Sequence, residues 1–211
     1  MQISSQSFLN GGYIPGEFSF AIPNATSRIE LSTNKNPHLA WSDVPEGTNS
    51  FVVICHDTDV PSQGDDVNQE GREIAATLPR IDFFHWLLLD IPVGVSQIPA
   101  GSQASGVQPR GKTGPSAPGG WRHGINDYTG WFANDEQMSG TYFGYDGPCP
   151  PWNDSIVHRY VFTVYALASQ TLSVEGELSG ANVQLALNKA VILGRASLTG
   201  LYTLNPTHLR D

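Results

Sequence analysis

The chain has 211 residues, with 11 Lys and Arg against 20 Asp and Glu, and a formal net charge of −9. Its cations are scattered and outnumbered, which argues against a basic face for nucleic acid. With 22 Gly and 15 Pro it is a poor candidate for a helical bundle or coiled coil, while 39% hydrophobic residues suffice for the core of a folded domain.

No repeat or low-complexity block divides the chain, so residues 1–211 read as a single domain. The pattern is mostly strand. Phe18–Ile22 alternates apolar and polar. Ser50–His56 is a short β-branched run of the buried-strand kind. Residues 59–80 carry little periodicity, and between 57 and 73 six acids face one base, the composition of a solvated acidic loop. Phe83–Ile91 is a second buried strand, stopped by Pro92. Residues 101–120 hold nine Gly or Pro in twenty, which excludes helix and central strand. Irregular segments of that length tend to be functional or mobile. His158–Ala168 is the strongest strand. Tyr160, Phe162 and Val164 point to one face and Val161, Thr163 and Tyr165 to the other. Two apolar faces imply cover on both sides. One helix is expected from Asn182 to Arg195. Val183, Leu187, Ala190, Val191 and Gly194 share a face, and Ser179 or Asn182 would cap it. A short strand, Ala196–Thr203, follows.

The first residues, Met1–Gly12, lack the basic start, apolar run and cleavage site of a secretory leader. No apolar run approaches the ~18 residues of a membrane span. A cytoplasmic protein without membrane insertion is expected. Cys55 and Cys149 form neither a disulfide framework nor a metal-ligand spacing. Cys55 reads as a small buried residue. Cys149, in a Pro-rich turn, reads as a packed free thiol or a reactive one. The sequons at Asn24 and Asn153 carry little weight without a leader.

Three clusters could carry chemistry, and all lie near strand ends. Asp57 and Asp59 follow the first buried strand at i, i+2 spacing. His85 lies inside the second, where a His is either a satisfied core residue or a functional one. Asp146-Gly147-Pro148-Cys149-Pro150-Pro151 precedes His158-Arg159-Tyr160. Its three prolines fix a rigid turn and favour a cis peptide. Gly147 could there offer its N–H to an anion.

In this order the clusters resemble the phosphatidylethanolamine-binding protein family, also called Raf-kinase-inhibitor-like, in its bacterial and archaeal branch. The resemblance rests on Asp57-Thr58-Asp59-Val60-Pro61-Ser62 and on Phe84-His85-Trp86-Leu87-Leu88-Leu89-Asp90-Ile91-Pro92. It rests also on Gly147-Pro148-Cys149-Pro150-Pro151 with His158-Arg159-Tyr160-Val161-Phe162. It runs from about residue 15 to 205. It implies a mainly β fold, an antiparallel two-sheet β-sandwich of Greek-key type with a small peripheral helical part. It also implies a surface pocket for phosphate-type anions, lined by Asp57, Asp59, Pro61, His85, Gly147, Pro148, His158 and Tyr160. The chain departs from the family pattern at Val191, where a His is expected, and in Trp152–Val157, which is longer than expected.

The physics of such a pocket divides the labour. Each His would turn one ring nitrogen to a carboxylate or backbone acceptor and the other to the ligand. A nearby carboxylate raises a His pKa and favours the doubly donating form. An anion would then meet His85, His158, the Gly147 N–H and the Tyr160 hydroxyl, with Asp57 or Asp59 left for the amine of an ethanolamine headgroup. The function expected is non-enzymatic binding of a small phosphorylated ligand or phospholipid headgroup, without cofactor or metal. Two alternatives stay open: an inhibitor or interaction protein of a kinase or hydrolase, and a phosphoester hydrolase using the His/Asp cluster. A protein partner and a homodimer are further open alternatives. No His-Glu-x-x-His, Gly-x-Ser-x-Gly or P-loop motif supports catalysis.

Overall fold

The computed structural model describes residues 1–209. In chain order it has β1 (Gln2–Ser4), β2 (Ala21–Asn24), β3 (Arg28–Leu31), β4 (Leu39–Ser42), β5 (Ser50–Pro61), β6 (Arg80–Pro92), β7 (Gln97–Ile98) and β8 (Arg122–His123). After these come α1 (Tyr128–Trp131), β9 (His158–Leu167), α2 (Gly180–Lys189) and β10 (Ile192–Tyr202). The strands form three antiparallel sheets, ordered β10-β9-β5-β6-β8, β1-β4-β7 and β2-β3. The mainly β expectation holds.

The main sheet is buried on both faces because its long strands are apolar at successive positions. On one face Phe51, Val53 and Cys55 of β5, Trp86 and Leu88 of β6, and Tyr160, Phe162 and Val164 of β9 join one core. Leu39 and Trp41 of β4 and Ile98 of β7 complete it, so two sheets share this core. On the other face Val52, Ile54, Leu87, Leu89 and Leu167 pack against Val183, Ala186 and Leu187 of α2. Each such side chain contributes roughly 1.5–3 kcal/mol when fully buried. The alternation read in 158–168 is the one the structure has: Val161 and Tyr165 are half-buried on the second face, and the Thr163 hydroxyl meets Ser197 at 2.9 Å.

Three boundaries differ from the sequence reading. The helix does not reach Arg195. Ser179 caps it by accepting from the Asn182 N–H, it ends at Lys189, and Ala190 is already extended. The β-branched pair Val191–Ile192 then leads into a long β10, so Val191 stands outside the helix, 66% exposed. Phe18 lies in a 3-10 turn, Gly16–Phe18, after Pro15, and the strand starts at Ala21. The region 59–80 is shorter as a loop, because β5 runs to Pro61 and β6 starts at Arg80. The cis peptide falls at Gly114–Pro115 rather than in the Gly147–Pro151 turn. Among the described residues no helix is long and apolar enough to cross a membrane.

Candidate binding cavity

Register shifts between β5 and β6 position the first polar groups. Cys55 pairs with Trp86 and His56 with Phe84, which leaves His85 as the extra residue of a bulge. A second shift follows Asp57, before Val60 pairs with Ile81. Bulges re-aim side chains in this way and recur beside functional sites. On the other edge of β5, Asp57 lies opposite Tyr160 of β9. Asp57, His85 and Tyr160 thus come from three adjacent strands and form the floor of a cavity of about 490 Å³.

The walls come from loops, short elements and the ends of β5 and β6, and they are apolar. Phe20, Phe83, Tyr128, Trp131 and Phe132 supply aromatic surface, and Pro61, Cys149, Pro150 and Pro151 add to it. Tyr128, Phe20 and Phe132 form a triangle of rings, with Tyr128 centroid distances of 4.7 and 5.4 Å, and Tyr128 meets Phe83 and His85 edge-on. Among the described residues no Lys or Arg lines the cavity. Leu31, Ile81 and Trp131 reach its mouth with more than half their surface exposed.

Each floor residue has a defined state. The His85 Nδ1–H donates to the Asp146 carbonyl at 2.7 Å, which leaves Nε2 as the free ring nitrogen. Burial lowers its pKa, and the charges of Asp57 and Asp146 offset this only in part, so the ring is neutral at pH 7. The Tyr160 hydroxyl is buried and turns toward the Asp57 carboxylate, outside the limits of a well-formed hydrogen bond. Burial, and after it the charge of Asp57, push its pKa well up, so it remains a phenol. Asp57 accepts the Asp59 N–H at 2.8 Å and His158 Nδ1–H at 2.7 Å. Burial pushes the Cys149 thiol up to about 12, so this wall residue is not a thiolate.

Of the eight residues expected to line the pocket, Asp57, Pro61, His85 and Tyr160 do so. The other four stand behind it with their capacity spent inside the protein. His158 is fully buried between two carboxylates, Asp57 and Asp154, with Nε2 3.0 Å from the latter. Burial opposes its protonation, but the charge of Asp57 and the hydrogen bonds to both carboxylates outweigh that and raise its pKa to about 9. It is an imidazolium, as a His beside carboxylates should be, yet it serves Asp57 rather than a ligand. Asp59 is clasped by Arg159 through Nε and a terminal nitrogen, at 2.9 and 2.6 Å. Burial works against its ionisation, and the Arg159 bonds and charge prevail, holding its pKa below the usual carboxylate value. Gly147 donates its N–H to Asn34 Oδ1 at 2.8 Å, and the Pro148 carbonyl accepts from Phe20. Gly is required at 147, because a Cβ would lie 2.2 Å from the Phe18 carbonyl oxygen.

Several supporting residues were not singled out from sequence. Asp154 neutralises the back of the site, bound to His158 and to both terminal nitrogens of Arg80. Its i, i+4 spacing from His158 was the available signal. Asn153 pins the 62–79 loop by donating to the carbonyls of Asp66, Gln69 and Arg72 and accepting the Asn68 N–H. That loop is therefore tethered, although Asp65, Asp66, Glu70 and Glu73 are solvated as expected. Both residues belong to the longer Trp152–Val157 segment. On the turn side, buried Asp146 binds Asn34, Asn126 and Lys112, the last at 2.7 Å. No group of three or more His, Cys, Asp or Glu among the described residues is arranged to hold a metal ion.

The fold and cavity have the form of a binding protein, and comparison with known proteins supplies the family. Residues 4–203 match the model of the phosphatidylethanolamine-binding protein family, so the chain belongs to it. A UPF0098 protein of Aquifex aeolicus is 30% identical over 206 residues, covering 96% of this chain and 88% of the relative. Escherichia coli YbcL is 31% identical over 171 residues, 81% of this chain and 73% of its own. The crystal structure of YbcL, titled a new member of the mammalian family, superposes with a TM-score of 0.67 at 28% identity, covering 96% of this chain and 97% of YbcL. A Chlamydia trachomatis homologue gives 0.62 at 25% identity, covering all of this chain and 97% of its own.

Proposed function

We propose that this is a non-enzymatic binding protein whose cavity seats an amphipathic ligand with a phosphate-type headgroup at its floor. The carrying observation is the free His85 Nε2 beside the buried Tyr160 hydroxyl and Asp57, set against apolar walls. The Tyr160 phenol donates to a phosphoryl oxygen. His85 takes up a proton as the anion arrives and then donates from Nε2. Asp57 accepts from the phosphate's own hydroxyl or from a headgroup ammonium. Binding therefore carries proton uptake, and anion affinity rises as pH falls. A headgroup of about eight heavy atoms binds modestly, in the micromolar to millimolar range. Each methylene seated against the walls adds up to ~0.8 kcal/mol.

The test is a titration of phosphoethanolamine, then of a short-chain phosphatidylethanolamine, followed by NMR of the His85 and Tyr160 rings. Both ligands should shift these signals, the lipid at lower concentration, and His85→Ala should abolish the response. No movement at millimolar ligand would sink the reading. A second reading, a protein partner seated over the mouth, draws on exposed Leu31, Ile81 and Trp131. Trp131→Ser would weaken such a partner while leaving headgroup binding at the floor intact.

A further inference from the structure

Among the described residues four carboxylates are buried, Asp57, Asp59, Asp146 and Asp154. Each has a cation against it. Lys112 meets Asp146 at 2.7 Å, Arg159 meets Asp59 at 2.6 Å and Arg80 meets Asp154 at 2.5 Å. His158 meets Asp57 at 2.7 Å, so four cations stand against four anions. None of these cations is part of the lining of the main cavity. The charge that a ligand meets at the floor is therefore set from behind it.

His158 differs from the other three. Its Nδ1 meets Asp57 Oδ2 and its Nε2 meets Asp154 Oδ2. A ring placed between two carboxylates must donate from both nitrogens, and only the imidazolium does so. The three groups are buried, so water and salt screen them little. Behind Asp154 stands Arg80, which reaches both of its oxygens. Read outward from the cavity, the row is Asp57, His158, Asp154 and Arg80, with alternating charge. The row matters because Asp57 is itself a floor residue. An ionised Asp57 without its partner would repel an arriving phosphate across a poorly solvated gap. His85 is neutral at pH 7, so it cancels none of that charge beforehand.

We infer that His158 is a specificity-determining residue for ligand charge: it touches no ligand, and its cation cancels Asp57 so that the floor admits an anion rather than a cation. This role rests on the anion reading of the floor given above, and it demands a swap of preference once the cation is removed. The full chain is titrated at pH 7 and constant ionic strength with sodium phosphate and, separately, with ethanolammonium chloride. The His85 and Tyr160 rings are followed by NMR. In His158→Gln, phosphate should weaken at least about tenfold and ethanolammonium should tighten by a similar factor. Arg80→Met strands Asp154 instead, further from the floor. It should move both affinities the same way by a smaller factor, about threefold. Asp57→Asn combined with His158→Gln removes both charges of the pair and should recover most of the phosphate loss, which a merely damaged fold would not do. Circular dichroism checks the fold of each variant. If His158→Gln does not fold, the direction of change in Arg80→Met decides. Unchanged affinities in a folded variant, or a loss of both ligands together, would overturn the role. A wild type that ignores phosphate would defeat the anion reading instead, and the ethanolammonium response of His158→Gln would still decide for or against His158.

Discussion

Two buried carboxylates flank the cavity floor, and each is neutralised differently. Asp57, on β5, is paired with His158, a cation that can lose its proton. Asp146, on the Gly147 turn, is paired with Lys112 and receives two further amide donors from Asn34 and Asn126. Burying a charge is costly unless it is paired and hydrogen-bonded. Both sites meet that requirement, and the Asp57 side ties it to a group that titrates between neutral pH and about 9. The strand-side pair therefore loses its cation as pH rises through about 9, and on the turn side burial holds the Lys112 ammonium below its ordinary pKa.

The largest effect expected is from His158→Ala. It strips Asp57 and Asp154 of a shared cation in a fully buried place and should cost about 3–5 kcal/mol in urea unfolding. Second comes pH. The folded His158 pKa, about 9, lies above the unfolded value of 6.5. Its stabilisation is complete below about pH 6.5 and lost as pH rises through 9, a fall on the order of 3 kcal/mol. Unfolding free energies measured from pH 6 to 9.5 should show this slope in the wild type and in Lys112→Met, and not in His158→Gln. A slope that persists in His158→Gln would break the comparison. Third, Lys112→Met should cost less than His158→Ala, about 1–3 kcal/mol, because Asn34 and Asn126 still donate to Asp146. Equal losses would show that the amides contribute little. The smallest effect belongs to Arg159→Ala. The Arg159 side chain is 59% exposed, so removing its clasp on Asp59 should cost only about 0.5–1 kcal/mol.

At the acidic end the sign reverses. His123 has its folded pKa depressed to about 4. The unfolded chain then binds more protons between 6.5 and 4, and stability falls as pH drops through that range. Combined with His158, this places maximal stability near pH 6.5. Thermal unfolding across pH 4 to 9.5 should give a maximum there, and His123→Gln should flatten only the acid limb.

The strands were legible in the sequence because β5, β6 and β9 are long, apolar and β-branched or aromatic. Their alternation survives in the structure, residue by residue, in Tyr160, Phe162 and Val164. The helix end was misplaced because Ala190, Val191 and Gly194 continue the helical period, while the β-branched pair Val191–Ile192 favours the start of a strand. Within the site, Asp57 and His85 were found by residue type and position. What the sequence could not show is how their neighbours spend hydrogen bonds. Gly147 and His158 have the right chemistry for a ligand, and the folded chain commits it to Asn34, Asp57 and Asp154. The walls were missed for a related reason. Phe20, Tyr128 and Trp131 lie far apart in sequence, and no local pattern marks them as neighbours.

The floor of the cavity stands on three hydrogen-bonded strands, whereas most of its wall surface comes from loops and short elements. Replacement or drift in those loops would change which ligand bodies fit without disturbing the Asp57, His85 and Tyr160 chemistry. On the proposed function, the sheet then sets the polar grip on a headgroup and the loops set which ligand bodies are admitted.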